Sequence, residues 1–172
     1  DAYPIHPELF EQLYEKWSTL ERFQRTRGVL RLMANVIYYL WMNQTTDLLI
    51  MPSSVPLSNR SVKDEILRYL PDGWSAVVDT DVSGDGSNPR KIDKENPTLN
   101  KYSATQRVAQ AVFMGTAPNT AAQNVRGIEE VRVRLATIQP DEPLSVFNDA
   151  LRRMSDQLSY LYRDDARYWY DT

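Results

Sequence analysis

The sequence of 172 residues contains no cysteine, which excludes a disulfide framework, a thiolate zinc site and a cysteine nucleophile. The single histidine, His6, excludes a site built from several histidine ligands, and we interpret it as a capping or packing residue. The six glycines form neither a Gly-x-x-x-x-Gly-Lys phosphate loop nor a Gly-x-Gly-x-x-Gly dinucleotide motif. Nucleotide hydrolysis by this chain alone is therefore not expected.

Neither a long apolar run nor a strong net charge is present. No stretch approaches the ~18 apolar residues of a membrane span, so no membrane partner is expected and the predicted location is the cytoplasm. The net charge is only -3, so any contact with nucleic acid has to be local. Because the chain starts at Asp1 without an initiator Met or a signal pattern, we expect a piece of a longer protein whose catalytic part lies elsewhere.

Apolar residues at helical spacing predict most of the secondary structure. The predicted helices cover residues 7–17, 26–42, 62–70, 102–114, 128–138 and 143–158. In 128–138 the alternation of apolar residues with arginines also suits a strand, and we choose the helix. Ser61 is predicted to cap the third of these helices and Gly115 to end the fourth. The helix over 26–42 carries a broad apolar stripe and is expected to lie in the core.

The β-structure is predicted to be small. Residues 48–51 are expected to be extended and residues 74–78 to form a strand, whereas alternating tyrosines predict a hairpin over 159–171. Residues 79–101 are rich in turn formers and predict a long surface loop and the main internal boundary. Three helices followed by a hairpin is the element order of a winged helix.

The same loop contains the opening of a calcium-loop pattern. Asp79, Asp81, Ser83 and Gly84 stand at the right spacing for oxygen ligands before a sharp turn. Arg90 occupies the position where a bidentate glutamate is required, so we favour an ordinary loop and predict no metal site.

The least ordinary local composition is the run from Glu21 to Arg31, which holds four arginines and one glutamate. The predicted helix over 26–42 begins within this run. Arginine binds phosphate in a planar, bidentate way, and a helix start adds free N–H groups and a favourable dipole, so an anion-binding corner is one interpretation. The simpler alternative is a solvated turn whose arginine stems pack against Tyr14 and Trp17.

Basic residues near the C-terminus are candidates for contact with nucleic acid. They are Arg152, Arg153, Arg163 and Arg167. Asp149 and Asp156 offset the charge on the predicted helix, and the hairpin tyrosines are better explained by core packing than by base stacking. A basic recognition helix is therefore not evident.

Several short segments together resemble one family over nearly the whole chain. They are Tyr3-Pro4-Ile5-His6-Pro7-Glu8-Leu9, Phe23-Gln24-Arg25-Thr26-Arg27-Gly28-Val29-Leu30-Arg31-Leu32, Val78-Asp79-Thr80-Asp81, Tyr102-Ser103-Ala104 with Arg107-Val108-Ala109, Gly115-Thr116-Ala117-Pro118, and Leu161-Tyr162 with Arg167-Tyr168-Trp169-Tyr170. The chain is similar to the segment after the ATPase core in a prokaryotic family of large AAA+-like ATPases, the domain-of-unknown-function 499 family.

This resemblance implies a mainly α fold with a small β component. Residues 1–47 would be a helical AAA+-type lid, residues 48–101 a linking region, and residues 102–172 a winged-helix-like unit of three helices and a C-terminal hairpin. In such a lid an arginine at a helix start senses the γ-phosphate. That role falls on Arg27 or Arg25, with Arg27 preferred because Gly28 beside it would let a phosphate approach closely.

The resemblance further implies a non-catalytic fragment of an ATPase. ATP and Mg would be bound by the parent protein only, and the first partner would be the ATPase core of the same parent chain. The parent is expected to form a homo-oligomer and to act on DNA or a protein partner, since family members often stand beside DNA-modification or phage-defence systems. The alternatives are a winged-helix DNA-binding module and a protein-interaction scaffold.

Overall fold

Helices make up most of the chain. The computed structural model describes residues 3–118 and 125–172, with every side chain in these ranges except that of Arg25. The helices are α1 (Pro7–Glu11), α2 (Arg25–Met42), α3 (Arg60–Leu67), α4 (Trp74–Asp81), α5 (Asn88–Glu95), α6 (Pro97–Tyr102), α7 (Ala104–Thr116), α8 (Glu130–Leu135) and α9 (Leu144–Gln157). The strands are β1 (Ile128–Glu129), β2 (Leu161–Asp164) and β3 (Arg167–Tyr170).

The first predicted helix is confirmed, although its geometry changes along its length. After α1 the chain continues as a π-helical segment over Gln12–Lys16 and a 3₁₀ turn over Trp17–Thr19. His6 caps the helix, since its Nδ1 accepts a hydrogen bond from the Glu8 N–H at 3.1 Å. The interpretation of His6 as a capping residue is therefore confirmed.

The helix predicted over 62–70 exists but is capped differently. α3 begins at Arg60 because the Asn59 side chain accepts a hydrogen bond from the Val62 N–H at 3.2 Å. The predicted Ser61 cap is wrong, since Ser61 already lies inside the helix. Asn59 has extended backbone angles and a side-chain oxygen, which suit an N-cap.

The strand predicted over 74–78 is wrong, because these residues form the helix α4. The two adjacent valines favour a strand locally, but Trp74, Val77, Val78 and Val82 are all buried. These four positions lie on one side of a helix. Because a helix buries all four side chains in the core, it is favoured over the strand that the adjacent valines indicate locally.

The surface loop predicted over 79–101 is also wrong. α4 runs to Asp81, and α5 and α6 occupy most of the remainder. The turn-forming residues start helices here: Pro89 stands in the first turn of α5, and the Asn96 side chain accepts a hydrogen bond from the Thr98 N–H at 3.0 Å. Asparagine and proline mark helix starts as well as turns, so composition alone did not separate the two.

The aspartates of this region hold neighbouring backbone in place. The buried Asp81 carboxylate accepts hydrogen bonds from Asn88 Nδ2 at 2.8 Å and from the Tyr160 N–H at 2.6 Å. The buried Asp93 carboxylate accepts one from the Thr105 N–H at 2.9 Å. Asp81, one of the calcium-pattern residues, is thus engaged in linking α4 to the start of the hairpin.

The helix predicted over 102–114 is observed as α7, but Gly115 does not end it. The helix continues through Gly115 to Thr116. A Cβ on Gly115 would lie 2.8 Å from Ile128 Cδ1, so the glycine permits β1 to approach the helix closely. Residues 128–138, predicted as one helix, begin as β1 and become helical only in α8.

The predicted hairpin over 159–171 is confirmed as β2 and β3. The sheet is antiparallel in the order β1-β3-β2, with Tyr162 opposite Trp169 and Ile128 opposite Tyr168. Tyr168 and Tyr170 are buried, and Tyr170 Oη donates a hydrogen bond to the Asp81 carbonyl at 2.7 Å. These tyrosines therefore pack in the core.

The overall architecture is mainly helical with a small three-stranded antiparallel sheet, as predicted. One set of buried apolar side chains extends from Leu9 to Tyr170, and α7 contributes most heavily to it. The regions 1–47, 48–101 and 102–172 all contribute to this core. Among the helices described, none is both long enough and apolar enough to traverse a bilayer.

Candidate functional site

The start of α2 is anchored by one buried aromatic residue. Phe23 ends a short 3₁₀ turn and is fully buried between Trp17, with ring centroids 6.2 Å apart, and Tyr69, at 4.9 Å. Gln24 then takes the left-handed conformation, with φ 54° and ψ 37°, and its side chain does not cap the helix. This sharp corner places Arg22 before the helix and Arg27 in its first turn.

Gly28 has a packing role at this corner. A Cβ at this position would stand 1.9 Å from the Phe23 carbonyl oxygen, so only glycine lets the 3₁₀ turn lie directly against α2. The space that a Cβ would need is occupied by the protein's own backbone. The interpretation in which Gly28 also leaves room for a phosphate stays a prediction.

Arginines from the 3₁₀ turn, from α2 and from the residue that follows α3 converge on a cavity beside this corner. The cavity has a volume of about 220 Å³ and is lined by Arg22, Phe23, Gln24, Arg27, Gly28, Arg31, Arg68 and Tyr69. Arg68 directly follows α3, which packs against α2. We call this cavity the arginine cleft. An adjoining hollow of about 440 Å³ shares Arg22, Arg68 and Tyr69 and extends toward Asp72.

One buried carboxylate lies beside the arginine cleft. Glu65 of α3 is only 4% exposed, and its side chain accepts a hydrogen bond from Tyr69 Oη at 2.6 Å. Arg31 Nη2 and Arg68 Nη1 lie 3.4 Å and 3.5 Å from Glu65 Oε2. Burial and the bond to Glu65 both raise the pKa of Tyr69, which keeps its hydroxyl protonated as a donor.

The charges of the cleft are not balanced. Four guanidinium groups line the cleft, and Glu65 contacts two of them, at distances that are long for ion pairs. Glu21 and Asp72 lie in the adjoining hollow, so the four positive charges still exceed the negative ones nearby. Within the described part of the chain, the Arg22 and Arg27 side chains make no hydrogen bond or ion pair. A cleft of this composition attracts anions, and its planar donors suit an oxyanion such as phosphate.

The two arginines predicted as sensors have different outcomes. Arg27 lines the cleft. Arg25 is the first residue of α2, and its side chain lies outside the described residues. Sequence reasoning missed Arg68 and Glu65, because nothing local marks them and only the packing of α3 against α2 brings them to the cleft.

The four arginines predicted for nucleic-acid contact lie elsewhere and have intramolecular partners. Arg152 and Arg153 both pair with Asp149, at 2.6 Å and 2.9 Å. The other two are engaged on the hairpin: Arg163 donates to the Asp165 carbonyl at 2.8 Å, and Arg167 pairs with Glu129 at 2.8 Å. None of the four lines the arginine cleft.

The family resemblance is confirmed. A family model described as the DUF499 second domain matches residues 1–170. The chain therefore belongs to the DUF499 family. No curated protein and no solved structure matches it.

Proposed function

We propose that this chain is a non-catalytic DUF499 domain whose arginine cleft recognises a phosphate group, namely the γ-phosphate of ATP bound to the ATPase core of its parent protein. The observation that carries the proposal is the convergence of Arg22, Arg27, Arg31 and Arg68 on one cavity, where Glu65 contacts only Arg31 and Arg68. Each guanidinium offers planar donors, and charge-assisted hydrogen bonds are about twice as strong as neutral ones.

The size of the cleft favours a phosphate group over a whole nucleotide. The cleft itself, at about 220 Å³, lies below the roughly 300–1,000 Å³ of ordinary small-molecule pockets. The adjoining hollow of about 440 Å³ contains Glu21 and Asp72, whose carboxylates repel the other phosphates of a nucleotide. The base, the sugar and Mg would therefore be held by the parent's ATPase core, and this domain would contact only the terminal phosphate. ATP and Mg are cofactors of the parent protein in this proposal, and not of this chain alone.

Arg27 is the proposed sensor. It projects from the first turn of an 18-residue helix, where the helix dipole also favours an anion. The lid would make this contact when ATP is bound and lose it after hydrolysis. Its preferred position on the ATPase core would therefore differ between the ATP-bound state and the state after hydrolysis. Residues 1–47 would form this lid.

For residues 102–172 we infer a winged-helix unit. Support comes from the order α7, β1, α8, α9, β2, β3, which is the helix–strand–helix–helix–strand–strand order of that fold, and from the sheet order β1-β3-β2. α9 would then stand in the position of a recognition helix. Asp149 neutralises the arginines of α9, which favours docking to protein over docking to DNA.

Binding of inorganic pyrophosphate by this chain tests the cleft directly. We expect binding measured by calorimetry at low salt, and a loss of about tenfold in affinity for Arg27→Ala, since one charge-assisted hydrogen bond contributes about 1.5–3 kcal/mol. Arg60→Ala is the matched control because Arg60 is also a helix-start arginine, with a side chain 94% exposed and far from the cleft lining. Equal affinities of the two variants would contradict the proposal.

The DNA-binding alternative predicts a different result. Duplex DNA would bind this chain with a strong salt dependence, and Arg152→Ala or Arg163→Ala would weaken that binding. We expect no such binding at low ionic strength. A salt-dependent complex weakened by either substitution would favour the DNA-binding module.

A further inference from the structure

α2 carries apolar residues on two opposite sides. One side packs in the core through Val29, Leu32, Met33 and Val36. The opposite side carries exposed apolar residues, with exposures of 63% for Leu30, 44% for Ile37, 68% for Tyr38, 80% for Trp41 and 61% for Met42. The expectation that this helix lies in the core thus holds for one side only. A helix that is apolar all round is normally covered on both sides.

A groove lies beside the exposed side. It has a volume of about 250 Å³ and is lined by Pro4, Ile37, Leu40, Trp41, Thr45, Asp47, Leu49, Ile50 and Ser54. Most of these residues are apolar, so the groove suits a large apolar or aromatic side chain. We call the exposed side of α2 together with this groove the α2 face.

We propose that the α2 face binds the same face of a second copy of this chain, with the two α2 helices antiparallel. The face supplies both parts of such a contact: projecting aromatic side chains at Tyr38 and Trp41, and a groove of matching chemistry in the partner copy. Ala34, one helical turn from Tyr38, is exposed and small, which leaves room for a bulky side chain of the other helix.

The charges on the α2 face favour the antiparallel arrangement. Arg27 and Arg31 lie at the N-terminal end of the exposed side, whereas Asp47 lies in the groove beside its C-terminal end. In an antiparallel pair each basic end faces the acidic end of the partner copy. A parallel pair would place like charges together, which disfavours it.

Asp47 itself lacks a partner within the described residues. Asp47 is exposed at the rim of the groove, and its partial desolvation there raises its pKa, which the Arg107 charge offsets only in part. Such a carboxylate gains from a cation brought by another chain. This cation is what the basic end of a second α2 offers.

The exposed area reaches the lower limit for a specific contact. Tyrosine and tryptophan each bury 150–250 Å² when covered, and five large side chains expose roughly 500 Å² per copy. The pair would then bury about 1,000 Å², the lower limit of a specific protein interface. The proposed pair uses Arg27 and Arg31, which also line the arginine cleft. Its test depends on Trp41, which lines the groove and not the cleft, so failure of the pair and failure of phosphate recognition are distinguishable.

Sedimentation equilibrium tests the proposal. We expect wild type to have twice the monomer mass of 19.9 kDa and Trp41→Glu to be a monomer with an unchanged far-UV circular dichroism spectrum, since Trp41 is 80% exposed. Val131→Glu is the matched control, because Val131 is 66% exposed on α8, away from the α2 face, and it should remain a dimer. A monomeric wild type, or a dimer that persists in Trp41→Glu, would overturn the proposal and leave the face to another partner.

Cysteine crosslinking tests the orientation, and the chain has no cysteine of its own to interfere. Tyr38 lies near the middle of the exposed side, so Tyr38→Cys should form a disulfide-linked dimer under mild oxidation. Leu30 lies near one end, so Leu30→Cys should not. Efficient crosslinking of Leu30→Cys would indicate a parallel pair and contradict the antiparallel arrangement.

Discussion

Gly28 lies in the arginine-rich run at the start of α2, and its substitution distinguishes a packing role of this glycine from a role in binding a ligand. In Gly28→Ala the new Cβ would lie 1.9 Å from the Phe23 carbonyl oxygen and 3.0 Å from Phe23 Cδ1. The carbonyl would have to move by about an ångström, and because it belongs to backbone that enters α2, it cannot rotate away as a side-chain tip could.

The expected cost follows from two opposing contributions. Overpacking a buried site costs about 1–3 kcal/mol, and a clash with backbone belongs at the upper end of that range. Alanine offers about 1 kcal/mol over glycine in a helix interior, which offsets part of the cost. We therefore expect Gly28→Ala to lower the free energy of unfolding by about 2 kcal/mol.

Urea unfolding followed by tryptophan fluorescence measures this change, since the chain has four tryptophans. Gly86→Ala is the matched control: a Cβ there meets nothing within 4 Å, so the change should be neutral or stabilise by less than about 1 kcal/mol. If Gly28→Ala were as stable as Gly86→Ala and had lost only pyrophosphate binding, Gly28 would serve a ligand and the packing argument would be refuted.

Two further substitutions test the charges. Glu65→Gln keeps an acceptor for Tyr69 Oη but removes the carboxylate that contacts Arg31 and Arg68, so calorimetry should show pyrophosphate binding several-fold tighter; weaker binding would show that Glu65 positions the arginines. Arg107 donates to both carboxylate oxygens of Glu142 at 2.8 Å and to the Thr137 carbonyl at 2.6 Å. Arg107→Ala should therefore lower the free energy of unfolding by about 2–3 kcal/mol in urea, and a loss below about 1 kcal/mol would contradict a structural role for this partly buried pair.

Elements in which apolar residues recur at a regular spacing were predictable from the sequence. Apolar residues at helical spacing predict α2 and α9, and alternating tyrosines predict the hairpin of β2 and β3. In each case one local pattern agrees with what the core requires. The resemblance to the DUF499 family came from short segments and is confirmed by the match over residues 1–170.

The errors arose where one residue type has two uses. Val77 and Val78 favour a strand locally, but the core buries them together with Trp74 and so fixes a helix. Asn96 and Pro89 form turns and also start helices. Only the packing of α5 and α6 against α7 decides between these uses, and that packing is not local in sequence.

The candidate site was half predictable. The run from Glu21 to Arg31 predicted that arginines gather at one corner, with anion binding as one interpretation, and Arg22, Arg27 and Arg31 do line one cavity. Arg68 and Glu65 lie more than thirty residues away from this run and carry no motif. Their place in the site depends on the contact between α2 and α3, which no local pattern encodes.

The central claim is that Arg27 senses a γ-phosphate, and ATP hydrolysis by the complete DUF499 protein that contains this domain tests it most directly. The comparison is between wild type, Arg27→Ala and the control Arg60→Ala, with nucleotide binding measured in parallel. We predict that Arg27→Ala loses at least tenfold in turnover while ATP still binds, since one charge-assisted contact made in the transition state contributes about 1.4 kcal/mol or more. Unchanged turnover in Arg27→Ala would contradict the proposed contact with the γ-phosphate and would indicate that the arginine cleft has only a structural role.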